Sequence, residues 1–206
     1  MRYFGEMKSL TFCRTYEAPA FCRSEILRYA GCINAEDGII SLLKSCIKEA
    51  ENHLVYRVCY RELPVEINGD TCDFEVFRFR SANLASNLES CKSVILFAAT
   101  VGVGIDRLIA KYGRLSPAKA LMLQAIGAER IEALCDTFCK DIEVELHSRP
   151  RPRFSPGYGD LPLSVQRDIF SVLDCGKRIG LMLNDSLLMS PSKSVTAFMG
   201  IGGEEK

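Results

Sequence analysis

Residues 54–80, LVYRVCYRELPVEINGDTCDFEVFRFR, decide the fold class of this chain. Over 54–63, β-branched and aromatic residues alternate with arginines, as in a strand that buries one face. Residues 64–80 contain two further runs of this kind, separated by Asn68 and Gly69. Because both residues tolerate a positive φ, the pair predicts a hairpin turn. Successive runs joined in this way predict antiparallel strands with one face in the core.

Further along the chain, residues 93–100, SVILFAAT, are almost continuously apolar. Such a run is typical of a strand that is buried on both faces. A last pair of strands is predicted in 178–190 and 193–201, on either side of a turn around Asn184 and Asp185.

Helical patterns surround these strands. A short helix is predicted over 24–30, and a second over about 34–52 with Asn34 as its N-cap. A helix over 165–174 would have Ser164 as its N-cap and end at Gly176. A long helix follows Pro117, and the side chains expected on its core face are Ile131, Leu134, Phe138 and Ile142.

The mixture of hairpin-like strands and helices has no regular βαβ order, and it therefore predicts an α+β fold. The 206 residues fit one domain, residues 1–206. Gly102 and Gly104 lie between the buried strand and a helix, but Arg107 occupies the third glycine position of a dinucleotide-binding fingerprint. A tight packing turn is therefore favoured there over a nucleotide loop.

The composition excludes several classes of function. The 26 basic and 26 acidic residues cancel, so no bulk attraction to nucleic acid or to an anionic membrane is expected. No apolar run approaches the roughly 20 residues that span a bilayer, and the N-terminus lacks the apolar core of a signal peptide. We expect a cytoplasmic protein. With ten scattered cysteines, no C-x-x-C pair and two histidines, we expect no metal site and mostly buried, reduced thiols.

The candidate chemistry lies in RPRFSPGYGD, residues 151–160. Its prolines hold the preceding residues extended, which limits the entropy lost on closing around a ligand. Arg153 offers a planar fork that matches a carboxylate, and Tyr158 offers an aromatic face that attracts a cation. Gly157 leaves room for a ligand against the backbone. This combination suits an amino acid with a second positive centre, although a surface connector is the alternative.

Glu132 and Asp136 lie on one face of the long helix, four residues apart. They are either a solvated acidic face, eased by Lys140 one turn further on, or an acidic edge that faces a cationic ligand. Spacing alone does not decide between these alternatives.

Three stretches resemble the activation domain of cobalamin-dependent methionine synthase, most clearly over 116–201. Residues 153–158 match its R-x-x-x-G-Y loop, and ERIEALCD, 129–136, resembles its A-E-A-x-A-E helix segment. Residues 179–195, IGLMLNDSLLMSPSKSV, resemble a third family motif. The resemblance implies a C-shaped α+β domain with a bent antiparallel sheet flanked by helices. It also implies a site for S-adenosylmethionine formed by Arg153, Ser155, Gly157, Tyr158, Glu132 and Asp136.

In that family the activation domain presents S-adenosylmethionine to oxidised cobalamin, and a flavodoxin- or ferredoxin-type donor supplies one electron. The resemblance therefore implies a free-standing activation subunit with no catalytic residue of its own. Its partner would be a cobalamin-dependent methionine synthase that lacks an activation domain, or another corrinoid protein that carries the cobalamin. A self-sufficient methyltransferase acting on a small molecule stays open as an alternative. The family's G-W-Y segment is replaced here by Ala197, Phe198 and Met199.

Overall fold

A computed structural model describes residues 10–32 and 34–202 and places a four-stranded antiparallel sheet at the centre of the fold. In sheet order, its strands are β1 (Phe12–Tyr16), β2 (Tyr56–Pro64), β6 (Ser93–Thr100) and β9 (Ser194–Ile201). The last strand therefore pairs with β6 and forms one edge.

The prediction that SVILFAAT is buried on both faces is confirmed, because all eight residues of β6 are buried. Successive side chains of a strand point to opposite faces. Ile95 and Phe97 lie in a core on one face, and Val94 and Leu96 lie in a core on the other. Each core is covered by its own set of helices.

The first face is covered by α1 (Arg23–Tyr29), α2 (Asp37–Ala50), α4 (Val103–Leu115) and α5 (Pro117–Leu146). Helix α5 has 30 residues and begins with proline at a position where no backbone hydrogen bond is lost. The four side chains predicted for its core face are buried as expected: Ile131, Leu134, Phe138 and Ile142. Gly102, the N-cap of α4, and Gly104 in its first turn form the predicted packing turn, since a Cβ at Gly104 would collide with the carbonyl oxygen of His53.

The second face carries the elements that surround the predicted loop. A small sheet of three strands and three short helices pack there, together with a cluster of phenylalanine rings that includes Phe74 and Phe198. The predicted hairpin is present, with Gly69 at φ 63° and Asn68 paired with Thr71. The elements are β3 (Glu66–Asn68), β4 (Thr71–Asp73), β5 (Arg78–Arg80), α3 (Ala82–Asn87), α6 (Gln166–Leu173) and α7 (Cys175–Ile179).

The C-terminal strands differ from the prediction in their pairing. Strand β7 (Met182–Leu183) pairs with β8 (Met189–Ser190) in a small hairpin around the predicted turn. Strand β9 leaves that hairpin and joins the central sheet beside β6. Strands β7 and β8 have only two residues each, whereas β9 has eight residues, mostly apolar, and matches the length of β6. Strand β9 therefore makes more cross-strand pairs with β6 than it could make with the hairpin.

Three local predictions were wrong. Asn34 lies in a turn before α2, whose N-cap is Glu36. Ser164 lies inside a 3₁₀ turn, Leu163–Val165, that runs directly into α6. Gly176 does not end that helix, because Asp174 adopts a left-handed conformation there and α7 contains Gly176. Strand β1 and helix α3 carried no signal strong enough to be predicted.

Candidate functional site

The loop that contains RPRFSPGYGD extends the central sheet beyond β9. The backbone N–H of Phe154 donates to Phe198 O at 2.9 Å, and the N–H of Phe198 donates to Phe154 O at 2.9 Å. Arg151 N–H donates to Gly200 O at 2.8 Å. Pro152 and Pro156, two residues to either side of Phe154, have no N–H to donate, so no regular ladder continues from this bridge. The predicted extended backbone thus docks on the edge strand.

Beyond this bridge the chain makes a tight turn. Tyr158 N–H donates to Ser155 O at 3.1 Å, and Gly157 N–H donates to Leu161 O at 2.9 Å. Gly157 has φ 91°, a conformation that residues with a Cβ rarely adopt. A Cβ added there would contact only Leu163 Cδ1, at 3.4 Å. The glycine is therefore required by its backbone conformation, and the predicted close approach of a ligand is not what the turn demands.

Asp160 fixes the end of the turn, and sequence reasoning missed it. Its carboxylate accepts hydrogen bonds from Ser81 Oγ at 2.5 Å, Ala82 N at 2.7 Å and Asn83 N at 3.1 Å. Its own N–H donates to Asn83 Oδ1 at 3.1 Å. The hydrogen bond from Ser81, followed by those from the backbone, lowers the pKa of Asp160. The loop is therefore tied to the first turn of α3.

A cleft of about 430 Å³ lies between this loop, α5, α6 and the edge strand. Of the six predicted site residues, Glu132, Arg153, Ser155 and Tyr158 line it. Asp136 and Gly157 do not line it, although each is next to residues that do. The remaining lining residues are Pro156, Gln166, Met189, Ser194, Val195 and Thr196.

Arg153 joins the loop to the acidic pair on α5. Its Nη2 atom lies 3.0 Å from Glu132 Oε2 and 2.8 Å from Asp136 Oδ1. Arg153 therefore supplies the counter-charge that eases the repulsion within this pair. Only 24% of the Arg153 side chain is exposed. The acidic pair is thus neither merely solvated nor free in this structure.

The electrostatic environment keeps the guanidinium charged. Burial acts to lower the pKa of Arg153, but two neighbouring thiols and then the two carboxylates outweigh burial and raise the pKa. Burial in turn raises the pKa of the Cys139 thiol to about 11 and that of Cys135 further still, so that near pH 7 both thiols are neutral and the two carboxylates are the charges that favour the guanidinium. The Nη1 atom of Arg153 is buried and has no hydrogen-bond partner in residues 10–32 and 34–202. One arm of the fork is therefore still unused.

The other walls of the cleft supply an aromatic ring and neutral polar groups. Tyr158 is 66% exposed, so its ring face is accessible. Gln166 is the first residue of α6 and Thr196 is in β9, and both are almost completely buried. Neither was predicted. The only sequence signal for Thr196 is a polar residue within an otherwise apolar strand, and Gln166 carries no signal.

No family model matches the sequence, and no curated protein matches it significantly. Among solved structures, a crystal structure of the MetH reactivation domain bound to AdoHcy superimposes with a TM-score of 0.70. The alignment covers 97% of this chain and 80% of that one, with 15% sequence identity. The two proteins share a fold. The predicted α+β class, with an antiparallel sheet flanked by helices as in an activation domain, is confirmed.

No helix in the described part of the chain is both long enough and apolar enough to cross a membrane.

Proposed function

We propose that this protein binds S-adenosylmethionine and serves as an activation subunit for a cobalamin-dependent methionine synthase. One observation carries the proposal. Residues predicted from separate parts of the sequence, Arg153 and Tyr158 on the loop and Glu132 on α5, line one cleft. They do so in a chain whose fold is that of a domain crystallised with AdoHcy, the product that S-adenosylmethionine leaves after methyl transfer.

The size and the charge of the cleft fit this ligand. Its volume of about 430 Å³ lies within the range of small-molecule sites. Arg153, Glu132 and Asp136 carry charges of +1, −1 and −1, which sum to −1. S-adenosylmethionine has a carboxylate, an ammonium and a sulfonium, and it therefore carries a net charge of +1. The uncharged-sulfur product has no net charge, so charge complementarity favours S-adenosylmethionine over S-adenosylhomocysteine.

Each residue then has a definite part in holding the ligand. The buried, unpaired Nη1 of Arg153 is available for the ligand carboxylate after a small reorientation of the fork. Glu132 faces the ammonium or the sulfonium from the cleft wall, Asp136 adds a second negative charge just outside the cleft, and the exposed ring of Tyr158 packs on the cationic part. Ser155 and Gly157 shape the turn that presents this ring. These roles use all six residues that the resemblance implied.

The ligand would supply the methyl group for reductive methylation. In that reaction the partner's cob(II)alamin gains one electron from the donor and the methyl group from S-adenosylmethionine, and S-adenosylhomocysteine leaves. The partner would be a methionine synthase without its own activation domain, or a different corrinoid methyltransferase. The electron donor would be a flavodoxin- or ferredoxin-type protein. The chain itself contributes binding and orientation, and we propose that it acts in the cytoplasm and is not catalytic alone.

Reactivation of a partner tests this proposal. Purified methionine synthase truncated before its activation domain, held as cob(II)alamin, is mixed with a reduced flavodoxin and S-adenosylmethionine. We expect the 206-residue protein to restore the absorption of methylcobalamin, and Arg153→Ala to restore it more slowly. Gln124→Met, an exposed change elsewhere on α5, is the matched control and should act as wild type. Methylation of free cob(II)alamin at the same rate without the partner would instead indicate a self-sufficient methyltransferase.

A further inference from the structure

The cleft straddles the edge strand β9 and has two ends of different character. Ala197 and Met199 of this strand lie in the core under α5. Phe198 lies in the core on the opposite face, and alternation places Thr196 on that face too. Gln166 begins α6, which packs on the same face. The cleft therefore runs from a charged end at α5, around the strand edge, to a neutral end at Gln166 and Thr196.

The neutral end has polar atoms without partners. Gln166 is 6% exposed and Thr196 is 2% exposed. Gln166 Oε1 and Thr196 Oγ1 are both buried and make no hydrogen bond within residues 10–32 and 34–202. Leaving such atoms unpaired costs free energy that an apolar side chain of the same shape would not cost. The ligand-free fold therefore gains no stability from these two polar groups.

The adjacent hydroxyl groups on the same edge are satisfied. Ser194 Oγ lies 2.8 Å from Thr100 Oγ1 and 2.8 Å from Pro191 O. A hydroxyl beside β9 can thus find partners among the described residues, whereas Gln166 Oε1 and Thr196 Oγ1, like Arg153 Nη1 at the charged end of the cleft, do not.

The backbone at Thr196 adds a further donor and acceptor. Phe198 uses its outward N–H and C=O to bond Phe154. Two residues earlier, the backbone of Thr196 points in the same direction. The residue that faces it in this register is Pro156, which has no N–H to donate. The outward backbone N–H and C=O of Thr196 therefore have no ladder partner among the described residues in this register and face the cleft.

We propose that Gln166 and Thr196 form a subsite for the uncharged nucleoside part of the ligand, while the charged end holds the amino-acid part. This inference rests on the proposed binding of S-adenosylmethionine. An amide and a hydroxyl cannot balance a charge, but they match the donors and acceptors of ribose hydroxyls and a purine edge. Rotation of the Gln166 amide about χ3 presents either its N–H or its C=O to the ligand.

Two substitutions that preserve shape test the subsite. Gln166→Met and Thr196→Val remove the polar atoms, and each should weaken S-adenosylhomocysteine by about fivefold. Each should weaken 5′-methylthioadenosine, which lacks the amino-acid part, by the same factor. The Tm should stay the same or rise, because an unpaired buried polar atom has been removed. Thr196→Ser keeps the hydroxyl and should bind as wild type, and Gln124→Met is the exposed glutamine control.

The outcomes separate this subsite from the proposed function. If wild type binds S-adenosylhomocysteine and both variants bind it equally well, the subsite is wrong and the proposed function stands. A loss of affinity that is matched by a lower Tm would mean a structural role and would also overturn the subsite. A third outcome is that wild type binds 5′-methylthioadenosine but neither S-adenosylmethionine nor S-adenosylhomocysteine. If that binding depends on Gln166 and Thr196, the subsite is upheld and the proposed function is refuted. If wild type binds none of these compounds, both are wrong.

Discussion

Arg153 makes an internal ion pair that ligand binding has to rearrange. Its Nη2 contacts both Glu132 and Asp136, and its Nη1 is unpaired. Removing a charge-assisted bond to the ligand carboxylate by Arg153→Ala should cost about 2 kcal/mol, or about 30-fold in affinity for S-adenosylmethionine. Isothermal titration measures this loss. Arg153→Lys should recover only part of it, because an ammonium keeps the charge and loses the fork.

The same substitution has a small effect on the fold. The carboxylates of Glu132 and Asp136 are 46% and 72% exposed, and ion pairs at such sites contribute about 0–1 kcal/mol. The Tm of Arg153→Ala should therefore fall only slightly. A large drop in the Tm with no specific loss of affinity would contradict a ligand-binding role and make Arg153 a structural link between the loop and α5.

Glu132 provides the test of charge complementarity. Glu132→Gln removes one negative charge and changes the net charge of the three charged groups from −1 to 0. We expect weaker binding of S-adenosylmethionine and a much smaller change for S-adenosylhomocysteine, because only the former carries the sulfonium charge. Parallel titrations with the two compounds measure the difference. An equal change for both would show that Glu132 does not face the sulfonium.

Gly157 tests why the turn needs a glycine. Its φ of 91° is unfavourable for any residue with a Cβ, and Gly157→Ala should cost about 1–2 kcal/mol of stability. A thermal melt measures this, with Gly113→Ala as the control. Gly113 is exposed in α4 with open space around it, so alanine there should raise stability by about 1 kcal/mol. Weaker ligand binding by Gly157→Ala with an unchanged Tm would restore the idea that the glycine makes room for a ligand.

Among the elements, the joint between the loop and α3 depends on one carboxylate. The hydrogen bond from Ser81 and those from the backbone of α3 lower the pKa of Asp160 below that of an unfolded chain. Its contribution is therefore complete above the ordinary carboxyl pKa of about 4 and is lost as the pH falls below that value. Asp160→Asn should have a lower Tm than wild type at neutral pH, since an amide cannot accept all three bonds.

Measuring the Tm of wild type and of Asp160→Asn over a range of pH separates the contribution of Asp160 from that of the other carboxylates. The difference in Tm between wild type and Asp160→Asn should be constant above about pH 4 and should shrink at lower pH. A difference that stays the same down to the lowest accessible pH would show that the charge of Asp160 is not what holds the loop on α3.

Elements with strong local patterns were predictable, and contacts between distant parts of the chain were not. The continuous apolar run of β6 and the stripe along α5 depend only on nearby residues, and both were predicted correctly. The pairing of β9 with β6 joins residues about a hundred apart, and nothing local specifies it. The long-range character of its contacts also explains why the site could be predicted only in part. Arg153 and Glu132 were predicted individually, but their ion pair and the anchoring of Asp160 on α3 are long-range contacts.

At the scale of the whole molecule, one sheet supports two cores, and the cleft lies where both meet an edge of that sheet. Side chains of β6 alternate between the core under α5 and the core under α6. Glu132 on α5 and Gln166 on α6 both line the cleft. A ligand that contacts both ends would therefore stabilise elements on the two faces together. Because both cores are built on the same strands, the loss of packing on one face exposes strands that also hold the core on the other face.

This arrangement predicts that the chain unfolds as one domain. Scanning calorimetry should show a single transition whose calorimetric and van't Hoff enthalpies agree, because the two cores share β2, β6 and β9. S-adenosylmethionine at about 100 times its Kd should add about 2.7 kcal/mol, which for a chain of this size raises the Tm by about 5–10 °C. The whole transition should move, since the cleft joins both faces. Two resolved transitions, of which the ligand shifts only one, would show instead that the faces unfold separately and that the ligand binds to a single one of them.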